Sequence, residues 1–168
     1  MRLIHYDKNV VTYDPNYLYP ELQRDAYFKP FGLWVSDDDD YGWREWCTAE
    51  DFATENLMYE HLVELAWDHK VLFISTVEDL DKLHEEYKSS IGNWEGDQRW
   101  FNWSRLYPLC QGIIITPYLW ERRMDYMWYY GWDCAGGCIW DLRAIRTFRP
   151  LLKQLTEGGD TNEIRGRT

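Results

Sequence analysis

Five short apolar runs punctuate this chain: RLIHY at 2–6, FGLWVS at 31–36, VLFIS at 71–75, GIIIT at 112–116 and GCIWDL at 137–142. Runs of that length, rich in β-branched and aromatic residues, are too short for buried helices and read as strands. GIIIT is apolar throughout, as a strand buried on both faces must be. In FGLWVS, alternation places Trp34 and Ser36 on one side and Leu33 and Val35 on the other.

Between the runs lie helix-like patterns. Asp40–Glu50 carries Trp43, Trp46 and Cys47 on one helical face, and both tryptophans read as core. Leu57–Trp67 reads as a helix with Leu57, Met58, Leu62 and Leu65 on its apolar side. Thr76 with Asp79 three residues on is a capping-box-like start to a helix running through Leu80, Leu83 and Tyr87. Asp97–Leu106 reads as a helix burying Trp100 and Trp103. Trp120, Met124, Met127 and Trp128 repeat at helical spacing. Residues 7–30, with Pro15, Pro20 and Pro30, form an irregular connection.

Strands separated by helices of uneven length give an α+β class. No GxGxxG follows a strand, so a dinucleotide-binding βαβ unit is excluded. Residues 1–155 read as one domain, and the polar segment 156–168 as a loosely ordered tail. The core has ample material: the chain is 45% hydrophobic with 11 Trp, 13 Tyr and 6 Phe. Four cysteines (Cys47, Cys110, Cys134, Cys138) form no CxxC pair, and Cys134 and Cys138 lack a matching second pair. They read as buried free thiols, with no metal expected.

Charge narrows the partners. The net charge is −11. Such a surface repels phosphate backbones and anionic lipids, so direct nucleic-acid or membrane binding is not expected. Without a signal-peptide-like start or an 18-residue apolar run, the expected location is cytoplasmic. The chain also lacks a GxSxG elbow, a Walker A loop and an HExxH helix. Among the histidines, His61 and His84 read as packing or surface residues beside helices and His69 as a turn residue. His5 stands near the end of a strand that enters an irregular connection, where side chains line clefts. On the next strand, Trp34 and Ser36 offer a π-surface and a hydroxyl on one face, suited to a planar heteroaromatic ligand.

His5 on a first strand, then Gly32-Leu33-Trp34-Val35-Ser36 some thirty residues on, then an aromatic helix, resembles the ADP-ribosyltransferase fold. The branch is that of diphtheria toxin and the poly-ADP-ribose polymerases. The resemblance continues through VLFISTVEDLDKLHEEY, WSRLYPLCQGIIITPY and WYYGWDCAGGCIWDL. These segments look like those of small bacteriophage and bacterial ADP-ribosyltransferase-like proteins, over roughly residues 2–146.

The resemblance implies two small, packed, mostly antiparallel sheets flanked by helices. It implies NAD as substrate, with His5 on the ribose of the adenosine half, Trp34 stacked on nicotinamide, and Ser36 anchoring the nicotinamide ribose or amide. Tyr6 and Gly32 complete the NAD-binding set. Nicotinamide would leave through an oxocarbenium-like transition state that needs a facing carboxylate. Here the chain departs from the family: the last strand carries no Glu. Asp133, just upstream, is the nearest carboxylate and takes the catalytic assignment with His5 and Trp34. Gln111 and Glu121 are weaker substitutes.

The functional expectation is an NAD-dependent mono-ADP-ribosyltransferase-like protein, phage-encoded and directed at a host macromolecule with a basic surface. The rival expectation is a non-catalytic acidic protein, a nucleic-acid mimic or inhibitor, docking on a basic host protein through the Asp37–Asp40 run.

Overall fold

The computed structural model describes residues 1–90 and 98–151. In chain order its elements are β1 (Leu3–Asp7), β2 (Leu33–Asp37), α1 (Trp43–Glu50), β3 (Tyr59–Leu65), β4 (Val71–Ile74), α2 (Val77–Tyr87) and β5 (Lys88–Ser89). There follow β6 (Trp100–Phe101), α3 (Trp103–Leu106), β7 (Gly112–Ile115), α4 (Met127–Tyr130), β8 (Gly136–Ile139) and β9 (Ile145–Pro150). All five apolar runs are extended, and the class is α+β. The segment 156–168 lies outside the described residues.

Seven strands form one sheet in the order β4-β7-β8-β2-β1-β3-β9, and β5 and β6 form a separate ribbon. Among the described strands only β4 and β7 pair parallel, joined by a crossover with helices between them in sequence. In place of two small packed sheets there is one large mixed sheet, with the β5–β6 ribbon as a small second one. The large sheet has a weak line, though. β1 meets β2 through just Leu3 opposite Asp37 and Ile4 opposite Ser36. On its other side β1 pairs with β3 over all of Leu3–Asp7, and β2 pairs with β8 from Leu33 to Ser36. A four-stranded and a three-stranded half are thus joined at a two-residue seam.

Both faces of the sheet are covered. On one, Ile74, Ile113 and Ile115 pack under Leu80 and Leu83 of α2, Trp103 and Leu106 of α3, and Trp128 and Tyr129 of α4. On the other, a continuous cluster takes in Leu3, Leu33, Val35, Val63, Val71, Ile114, Ile139 and Ile145, so every one of the seven strands contributes. Strands about 4.8 Å apart would spread such residues over nearly 30 Å in a flat sheet. The sheet curls, and the curl brings β9 over the central strands.

Three helical expectations fail, each for a physical reason. Leu57–Trp67 holds strand β3, because His61, Val63 and Leu65 repeat at period two and bury their side against β1 and β9. His61 is wholly buried in that row, whereas Met58, read as part of a helix face, is 56% exposed. The Trp120–Trp128 repeat breaks into a 3-10 turn at Trp120–Arg122 and the short helix α4, leaving Met124 exposed. Part of Asp97–Leu106 falls outside the described residues. The rest gives β6 and the one-turn α3, with Trp103 fully buried. The α2 cap is as read: Thr76 Oγ1 accepts from the Asp79 N–H at 3.2 Å and donates to its carboxylate at 2.8 Å.

Candidate functional site

Past Ile4 the ladder between β1 and β2 stops, and each strand stays with its other neighbour. That leaves the Trp34 carbonyl without a strand partner. His5 supplies one: its Nδ1 lies 2.8 Å from that oxygen, and since a carbonyl only accepts, Nδ1 carries the proton. Burial lowers the His5 pKa, with further repulsion from His61, against the opposing pull of the Trp34 carbonyl. The ring is therefore neutral near pH 7, and Nε2, which makes no hydrogen bond among the described residues, is an acceptor.

A cavity of about 210 Å³ opens at this seam. It is lined by His5, Tyr6, Trp34 and Ser36, together with Lys29, Trp43, Trp132 and Cys134. Trp34 and Ser36 line the cavity, and Leu33 and Val35 belong to the opposite core cluster as the alternation of FGLWVS requires, although Val35 also borders the cavity. Trp34 is half-buried and stands edge-on to Trp132, ring centres 4.8 Å apart. The wall is thus three indoles with a few polar atoms at fixed places. That composition suits a planar ligand.

The polar atoms centre on Asp38. Its carboxylate accepts from the Tyr6 hydroxyl in a very short contact and from Ser36 Oγ at 2.7 Å. Ser36 Oγ in turn accepts the Trp43 N–H at 2.8 Å, so it fixes the start of α1. The Ser36 proton is committed to Asp38, so toward any further partner the hydroxyl can only accept. Burial and the adjoining carboxylate push the Tyr6 pKa far up, and the phenol stays protonated. Gly32 does not line the cavity. It lies against β8, where a Cβ would come within 2.6 Å of the Ile139 carbonyl oxygen, so a backbone contact and not a ligand demands glycine there.

Asp133 stands between two lining residues, Trp132 and Cys134, without lining the cavity itself. Its backbone is left-handed, φ 68°, a conformation Asp tolerates better than most residues. The carboxylate lies 3.8 Å from Lys29 Nζ and 3.6 Å from Arg123. Burial raises its pKa, while Lys29 and Arg123 hold it down. Lys29 is also 5.3 Å from the centre of the Trp34 ring, and among the described residues it is the charged side chain that lines the cavity. Gln111 and Glu121 are not there. Gln111 ties Lys70 N–H to Asp141 across another part of the surface.

The Asp37–Asp40 run goes from inside to outside: Asp37 is buried, Asp38 half-buried, and Asp39 and Asp40 are exposed. Asp37 is 3% exposed and its carboxylate holds the backbone N–H groups of Arg2 and Asp39 and the Thr116 hydroxyl. Asp38 serves the cavity, Asp39 pairs with the Met1 amino group, and Asp40 accepts from Tyr41 N–H.

Sequence reasoning missed Lys29, Trp43, Trp132 and Cys134. Trp43 was assigned to the core from its helical spacing, and Lys29 sits in a segment with no periodicity. All four cysteines are free, and burial raises the pKa of Cys134 so that it is a thiol. His84 is buried in α2, where its Nδ1 accepts the Trp128 indole N–H at 3.1 Å. Among the described residues there is no group of three His, Cys, Asp or Glu able to hold a metal ion, and no helix long and apolar enough to cross a membrane. Compared with known proteins, the chain matches no family model, and no curated protein or solved structure is significantly similar to it.

Proposed function

We propose that the chain is an ADP-ribosyltransferase-like protein that binds NAD at the β1–β2 seam and transfers ADP-ribose to a macromolecule with a basic surface. One observation carries this reading. His5, Tyr6, Trp34 and Ser36, drawn from two strands some thirty residues apart, converge on one aromatic-walled cavity. Those are four of the residues to which the family resemblance gives NAD contacts.

The cavity is smaller than the ~300–1,000 Å³ pockets that bury drug-sized ligands. It has room for the nicotinamide end, with the rest of the dinucleotide running out along the seam past His5. Trp34 gives the pyridinium ring a stacking surface, and a cationic ring on an indole face gains from the ring quadrupole. His5 Nε2 accepts from a ribose hydroxyl. The glycosidic bond breaks with its electron pair going to the pyridine nitrogen, which neutralises the leaving nicotinamide. The acceptor's nucleophile bonds to C1′, and its proton passes to Asp133, whose raised pKa suits a base.

The test is incubation of the protein with NAD labelled in its adenylate half and a bacterial lysate. Nicotinamide release with label fixed on a macromolecule is the expected result. Binding at a hundred times Kd stabilises a protein by about 2.7 kcal/mol, so a thermal melt reads occupancy independently. Millimolar NAD that neither quenches tryptophan emission nor raises the melting temperature refutes the assignment.

A further inference from the structure

The acidic chain presents a cation to its aromatic cavity, and that is unexpected on composition alone. Lys29 Nζ sits over the Trp34 ring at 5.3 Å and reaches Asp133 at 3.8 Å, an ion pair too long for a hydrogen bond. Asp133 has a second cation in Arg123 at 3.6 Å. Within this cluster two cations share one carboxylate, so the Lys29 charge is surplus to the fold. Its side chain is 40% exposed, and its contact with Asp133 is a long one. A fixed structural lysine would be paired closely or turned to bulk water. This one is loosely held at the rim of a slot for a planar ring.

We infer that Lys29 selects ligands that carry an anionic phosphate beside the stacked ring, so that the site takes a nucleotide and discriminates against the corresponding nucleoside. The inference rests on the NAD reading above and deepens it. Stacking of the ligand ring on Trp34 moves the ammonium off the indole face and onto the phosphate. Asp133 keeps Arg123 as its partner, so no carboxylate is left buried without a counter-charge.

Nicotinamide riboside and nicotinamide mononucleotide differ by that one phosphate, and both can be titrated against tryptophan emission of the intact protein. A charge-assisted hydrogen bond is worth about tenfold to a hundredfold in affinity, and wild type is expected to prefer the mononucleotide by that factor. Lys29→Met keeps the apolar stem and removes the charge. In that variant the preference should fall to about onefold, with riboside affinity unchanged, while Lys29→Arg should retain it. Added salt should weaken mononucleotide binding in wild type and leave riboside binding alone. Equal affinities for the two ligands in wild type overturn the role of Lys29 and leave the NAD reading standing. Loss of riboside binding in Lys29→Met, unrepaired by arginine, also overturns it, since the lysine then shapes the slot. Failure of both ligands and of NAD to bind overturns the NAD reading itself.

Discussion

Replacing His5 by Phe isolates one bond at the seam. The ring contacts survive, because His5 packs against His61 and Phe148 with centroids 5.9 Å away in each case, and Phe fills the same space. What disappears is the donor to the Trp34 carbonyl, at the point where the β1–β2 ladder has already ended. A buried acceptor left without a partner costs about 1–3 kcal/mol, and this part-buried one belongs in the lower half, about 1–2 kcal/mol. For a chain of this size that is a fall in Tm of about 2–8 °C at pH 8. The pH dependence separates this from a simple packing defect. His5 and His84 both have pKa values lowered in the folded state, chiefly by burial. The unfolded chain therefore binds more protons than the folded one once pH drops below about 6.5. Wild-type stability is complete above that pH and is lost as pH falls toward the two lowered folded values. His5→Phe keeps only the His84 part of this loss, so the gap between variant and wild type should narrow on acidification. Thermal melts from pH 8 to pH 4.5 read it directly. A variant as stable as wild type at pH 8, or a gap that widens in acid, refutes the account of the seam.

Gly137→Ala should cost about 3 kcal/mol or more, the upper end of overpacking, and deplete soluble protein. The added Cβ would stand 2.0 Å from the Ile113 carbonyl oxygen and 2.7 Å from Ile114 Cα, and neither backbone atom can retreat within a central strand pair. Trp34→Ala should stay folded with a loss of about 2–3 kcal/mol, less than the ~3–5 kcal/mol of a fully buried Trp. Its NAD affinity should drop by about 1–3 kcal/mol, measured by calorimetry on the folded variant. Asp133→Asn preserves the left-handed backbone that Asn adopts readily, and should lower nicotinamide release by about 10²–10³ with NAD affinity unchanged.

Periodicity carried the parts of this fold that obey a single period. FGLWVS told its two faces apart because one face is buried core and the other a cavity wall, so alternation was strict. GIIIT announced a central strand because both of its sides are covered. β3 was hidden because the residue that marks its inner row, His61, counts as polar in any pattern and yet is fully buried, with its Nε2 accepting from Val11 N–H at 3.1 Å. β9 was hidden for a related reason: as an outer strand it alternates weakly, with Ile145 inside and Arg146 and Arg149 out. At the candidate site, residues on strands were legible and residues on connections were not. Lys29 and Trp132 owe their positions to tertiary contacts, Lys29 to Asp133 and Trp34, and Trp132 to the rings of Trp34 and Trp103. No local spacing encodes either.

The missed strand changes the meaning of the residue that was found. With Leu57–Trp67 as a helix, His5 lies on an edge strand, and a histidine there needs no explanation beyond solvent. With β3 in place, β1 is an interior strand held over five residue pairs on one side and two on the other. An interior strand that surrenders its ladder leaves backbone groups to be satisfied some other way, and buried carbonyls rarely go without. The chain satisfies one of them with an imidazole, whose second nitrogen remains available, where a third and fourth strand pair would have closed the sheet. Three tryptophans and a loosely held lysine then surround the gap. A fold seeking only stability would zip the strands together. Keeping them apart, at the boundary between two well-paired halves, maintains an opening where a ligand can enter without unfolding the sheet.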